Sequence, residues 1–146
     1  MRKLLSATAL VATLATPALA QTVRTADDVV APETDIILVA PSSYEVDGYE
    51  PYDYNVNPFS TYDDLDDADV YSSITGEEIG EVDEVYEASQ GVPGYLEIEV
   101  GGFLGIGEKE ILLPADQLAI YRGDDGYRVY VEATEEQLEE YPEYDD

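Results

Sequence analysis

Four glycines within seven residues, Gly101-Gly102-Phe103-Leu104-Gly105-Ile106-Gly107, mark the first place to look for chemistry. A phosphate-binding loop needs glycine, four residues, then glycine-lysine-serine/threonine, because backbone N–H groups and the lysine neutralise the phosphates ahead of a helix N-terminus. Gly102 and Gly107 have the right separation, but Glu108 stands in the lysine position. The residues after it read as a strand rather than a helix. A dinucleotide fingerprint fails as well, because Glu110 occupies the third glycine position. Nucleotide binding is therefore excluded. Phe103, Leu104 and Ile106 are costly side chains for a plain connector, so the stretch reads as a packed feature closing one end of a β domain, and secondly as an interaction surface.

Acidic residues offer the other candidate chemistry. Asp63-Asp64-Leu65-Asp66-Asp67-Ala68-Asp69 could face a hard cation. It lacks the glycine at the sixth position and the glutamate at the twelfth that an EF-hand requires. Asp124-Asp125-Gly126 is a turn before it is a ligand set. With 34 acids in the chain some must lie close together, so paired carboxylates cannot be argued from spacing. No specific metal site, cofactor or catalytic residue is assigned, and diffuse, weak cation association is the expectation. The chain has neither histidine nor cysteine. That removes the commonest general base, the Ser-His and Cys-His nucleophile pairs, nearly all zinc chemistry and any disulfide framework. A non-enzymatic protein is expected.

The formal charge is −28, and no lysine or arginine occurs between Arg24 and Lys109. Nucleic-acid binding requires the opposite sign, and anionic membrane surfaces are disfavoured likewise. The N-terminus reads as a secretory leader spanning residues 1–20. Arg2 and Lys3 precede an apolar run, and Ala18-Leu19-Ala20 forms an A-x-A cleavage site that leaves Gln21 as the first mature residue. Bacterial export to the periplasm or medium is expected. No membrane insertion is expected once the leader is gone, since the apolar run falls short of the roughly 20 residues a span needs.

The elements that would position these residues come next. Residues 21–61 form an acidic, tyrosine-rich extension whose apolar run, Asp35 to Ala40, could add an edge strand or serve as a tether. High acidity and few aliphatic residues predict a flexible, irregular segment, although its tyrosines leave docking on the domain open. Residues 62–133 carry the strands. Asp69 to Ser72 is one. Ile79 to Tyr86 is another, whose Val82 and Val85 share a face only across a bulge. Ser89 to Gly94 reads as a loop. Tyr95 to Val100 alternates Leu96, Ile98 and Val100 inward with Tyr95, Glu97 and Glu99 outward. Glu110 to Pro114 follows, then a single helical turn over 115–118. Ala119 to Arg122 and Tyr127 to Val131 pair across Gly123–Gly126. Residues 134–146 hold a short helix with capping-box spacing, Thr134 to Gln137, anchored by Leu138, and an acidic tail. These elements predict an all-β domain, a small antiparallel barrel of five or six strands with a C-terminal helix. Closure would remove exposed edges.

The segment Thr75-Gly76-Glu77-Glu78-Ile79-Gly80-Glu81-Val82-Asp83-Glu84-Val85, the glycine stretch, Ile111-Leu112-Leu113-Pro114 and the ending Thr134-Glu135-Glu136-Gln137-Leu138 together resemble the PRC-barrel family. The resemblance spans roughly residues 62–141 and looks like small exported bacterial members. It implies a small β-barrel. It also implies a scaffold or docking role, as in the photosynthetic reaction-centre H subunit and a ribosome-maturation factor. Neither the membrane helix of the first nor the RNA-facing companion domain of the second is present in this chain. The expectation is thus an exported scaffold or docking module in the bacterial envelope with an unidentified protein partner. The alternative is an acidic cation-binding or salt- and stress-buffering protein without one.

Overall fold

The computed structural model describes residues 24–36, 38–41, 44–101 and 107–145. Alternating and bulged apolar patterns give eight strands in a single sheet: β1 (Arg24–Thr25), β2 (Glu50–Pro51), β3 (Asp69–Ser72), β4 (Glu78–Ser89), β5 (Val92–Val100), β6 (Lys109–Pro114), β7 (Ala119–Gly123) and β8 (Gly126–Val131). A 3-10 turn at Ala115–Gln117 separates β6 from β7, and helix α1 covers Glu135–Glu139. The hydrogen-bonded order is β2-β7-β8-β3-β4-β5-β6, with β1 on the margin of β4. Six strands lie within residues 62–133, and the all-β expectation stands.

Two features differ from the expected antiparallel barrel. First, β3 and β8 run parallel, Val70 beside Val129 and Ser72 beside Val131. Consecutive hairpins enforce antiparallel neighbours, but this pair is joined through four intervening strands and is under no such constraint. Second, the ladder does not close, and β2 and β6 stand at its two ends. Side chains fill the core instead. One apolar cluster draws Val70, Val82, Val85, Leu96, Ile98, Ile111, Leu113, Ile120, Val129 and Val131 from all six main strands. Phe59, Tyr62 and Leu65 from the segment before β3, and Leu138 and Tyr141 from the C-terminus, complete it.

Local details follow the residues. The register of β4 against β5 shifts between Val82 and Glu84, so the bulge brings Val82 and Val85 both inward. Gly80 lies so close to β5 that a Cβ there would meet the Glu99 carbonyl at 2.1 Å. The expected loop over 89–94 is tighter than its glycines and proline imply. Only Gln90 and Gly91 turn, and Val92, Pro93 and Gly94 already belong to β5. The expected outward face of β5 is also partly covered. Glu97 is buried, because Tyr86 donates a 2.7 Å hydrogen bond to its carboxylate and Leu112 and Tyr144 pack on the same side of the sheet. At the C-terminus the capping box forms as spelled. The Gln137 N–H donates to the Thr134 hydroxyl at 3.3 Å and the Thr134 N–H donates to the Gln137 side chain at 2.9 Å.

Packing against the domain begins upstream of Tyr62. Phe59 is in the core, and Tyr52 and Tyr54 pack against it. Ile36 and Leu38 join the same cluster, with the Tyr141 hydroxyl donating to the Ile36 carbonyl at 2.8 Å. The apolar run around them forms no strand among its described residues.

Candidate functional site

Of the glycine stretch, Gly101 and Gly107 are described; Gly102, Phe103, Leu104, Gly105 and Ile106 lie outside the described residues, as do Ala18, Ala20 and Gln21. The two flanking glycines adopt positive φ, 73° and 84°, which favours residues without a Cβ. Val100 and Lys109 pair directly, so the stretch spans the turn of the β5–β6 hairpin. Gly101 sits beside α1, where an added Cβ would come within 3.2 Å of a Glu135 carboxylate oxygen. The Lys109 ammonium donates to the backbone carbonyls of Glu139 and Tyr141, satisfying orphan acceptors at the helix end. With β6 immediately behind Gly107, the hairpin has no helix N-terminus to hold a phosphate.

The acidic run 63–67 is a turn. Its Asp66 carboxyl is pushed up to about 6, first by burial and then by repulsion from Glu84, Asp63, Asp67 and Asp83. One Asp66 oxygen is buried with no hydrogen-bond donor. Among the described residues no three acids come together as a metal-holding group. At the β7–β8 turn, Asp125 accepts a 2.5 Å hydrogen bond from the Tyr49 hydroxyl, which holds its carboxyl below the usual range.

Sequence reasoning missed where the cations go. Arg24 lies 3.6 Å from the Glu84 carboxylate and donates to the Tyr86 hydroxyl at 3.2 Å, fastening β1 to β4. The Arg128 guanidinium is sandwiched between the rings of Tyr49 at 4.2 Å and Tyr71 at 5.2 Å. Arg122 lies 5.8 Å from the Tyr127 ring. Each cation–aromatic contact is worth about 0.5–1 kcal/mol at exposed sites. Lys109, Arg122 and Arg128 are the only cations after Arg24, and tyrosines abound nearby; that scarcity was the available signal.

The extension thereby acquires a shape. Tyr44 stacks on Tyr130 at 4.8 Å, and the Tyr121 hydroxyl donates to the Tyr44 carbonyl at 2.6 Å. Tyr52 lies against Phe59 and Tyr127, and its N–H donates to the Ile120 carbonyl at 2.8 Å. Between the extension and β7 runs a cleft of about 790 Å³ walled by Tyr44, Pro51, Tyr52, Tyr54, Ile120 and Tyr121, with Glu45 and Asp53 on its rim. It continues past Gly48 and Tyr49 toward Gly123.

A family model of the PRC-barrel domain matches residues 58–138, more than half of the chain. The chain belongs to the PRC-barrel family. The match starts one residue before buried Phe59 and ends on buried Leu138, so it coincides with the core of the PRC-barrel fold. The extension side of the cleft, residues 44–55, lies outside it. A comparison with curated proteins finds no match.

Proposed function

We propose that this PRC-barrel protein is an exported, non-enzymatic docking module that binds another protein in the bacterial envelope. The observation that carries the reading is the use made of the extension. Its tyrosines are laid on a small β-barrel module and build a broad aromatic cleft, a surface suited to contact because aromatic side chains dominate interface cores. The residue inventory supports the non-enzymatic part, since no histidine or cysteine is available as base or nucleophile. The A-x-A site before Gln21 supports export.

The test is capture from the native envelope fraction with the tagged full chain, after crosslinking at physiological salt, with N-terminal sequencing of the recovered bait. The expected result is bait beginning at Gln21 with one or a few partners in stoichiometric yield. Bait that retains its leader, or is recovered alone, overturns the reading. Phe103→Asp and Leu104→Asp then ask whether the glycine hairpin takes part: loss of the partner with the fold intact places it in the interface.

A second reading, diffuse cation association, is favoured by the crowded carboxylates around Asp66. It expects micromolar calcium to raise thermal stability beyond the effect of matched ionic strength. Superimposed melting curves dismiss it.

A further inference from the structure

The cleft between the extension and β7 has a chemistry of its own, and we infer that it receives an extended, arginine- or lysine-bearing segment of the partner protein. The inference rests on the docking reading above and adds both the surface and the class of ligand. Its walls are ring faces and proline: Tyr44, Tyr52, Tyr54 and Tyr121 with Pro51. Two of those hydroxyls already donate within the protein, Tyr52 to the Asn57 carbonyl and Tyr121 to the Tyr44 carbonyl. What these two present is therefore mainly apolar area, the surface on which proline-containing, polyproline-type peptides dock with little entropy to lose.

Charge selects among such peptides. Exposed Glu45 and Asp53 border the cleft, and its continuation adds Asp47, Glu50 and Asp124. The single cation along this path is Arg122, at the far end. A neutral or acidic segment would face uncompensated repulsion there, whereas a cationic one finds complementary charge that also speeds encounter. The edge of the sheet suits an extended chain too. Only the two residues of β2 cover β7, and Pro51 has no N–H to offer. Occupancy need not compete with Arg128, whose guanidinium is already held between Tyr49 and Tyr71.

The test uses the mature full chain and a labelled peptide of about ten residues alternating arginine and proline, compared with its glutamate–proline counterpart and with spermine. The arginine peptide is expected to bind, the glutamate peptide not to bind, and spermine to bind more weakly for want of apolar contact. Glu45→Gln with Asp53→Asn should weaken the arginine peptide about tenfold, since two rim charges are lost. Asparagine keeps the acceptor that Asp53 offers to the Asn55 N–H. Glu81→Gln with Glu110→Gln removes equal charge from β4 and β6, remote in the sheet order, and should change affinity less than about twofold because salt screens distant charges. Backbone chemical-shift changes should cluster on residues 44–55 and 118–121. Equal loss from both pairs, or shifts scattered over the acidic surface, overturns the inference. The docking reading is separable. An envelope partner still captured by the Glu45→Gln/Asp53→Asn variant leaves docking standing and removes the cleft from it. Peptide binding without any envelope partner does the reverse.

Discussion

Asp66 shows how one residue records the electrostatic cost of an acidic fold. Its ordinary value near 3.8 is raised to about 6 in the folded chain, chiefly by burial and then by four neighbouring carboxylates. Glu99 is shifted in the same direction by burial and by Asp83, Glu108, Glu81 and Glu110. A carboxyl whose folded value lies above its unfolded value binds protons preferentially in the folded state, so stability falls as pH rises between the two. The melting temperature should therefore climb as pH drops from about 7 to about 5, between the unfolded and folded values of Asp66. Asp66→Asn should be more stable at neutral pH and show a flatter profile. Thermal melts across that window decide it, and a profile that is flat or falls on acidification refutes the assignment. Glu97 teaches the complementary lesson. Strict alternation along β5 places it outward, and it is outward; yet Tyr86, Leu112 and Tyr144 cover that face and bury it.

At the scale of elements, short-range grammar was legible and long-range partnership was not. The β7–β8 hairpin, the bulge after Val82 and the capping box at Thr134 are each written within a few residues, and each forms where its spelling places it. The parallel β3–β8 pairing and the tyrosine cleft depend on residues far apart in the chain, and no local pattern encodes them. Gln90 and Gly91 turn more tightly than proline and glycine nearby suggest, because Gly91 lies against the Phe59 backbone: its carbonyl accepts from the Phe59 N–H at 2.7 Å. Helix α1 is only five residues long and depends on its cap and on fully buried Leu138. Thr134→Ala should cost about 1 kcal/mol of unfolding free energy, the usual worth of an N-cap. Chemical denaturation measures it, and a loss below about 0.3 kcal/mol would show that Leu138 packing alone holds the helix, because such caps normally cost at least about 0.5.

For the whole molecule, the family match defines a core that starts at residue 58, but the stable unit extends further. Tyr52, Tyr54, Ile36 and Leu38 all contribute to the main cluster from upstream. A chain beginning at residue 58 should fold as a PRC-barrel yet melt about 10 °C or more below the mature chain, since about 2 kcal/mol lost shifts a small domain by that amount. Differential scanning calorimetry of both chains tests this, and coincident melting points would make the extension a passenger. The parallel pairing of β3 with β8 also has a bearing on time. The half-sheet β3-β4-β5-β6 joins the half-sheet β2-β7-β8 only through Val70, Tyr71 and Ser72 meeting Val129, Tyr130 and Val131. Such distant partners must find each other against loop-closure entropy, which places the domain among slow-folding topologies. A nascent chain lacking residues beyond Tyr127 has no means of joining its halves. The polypeptide thus remains unfinished until nearly all of it has emerged, which is the condition a threading export channel requires of its cargo.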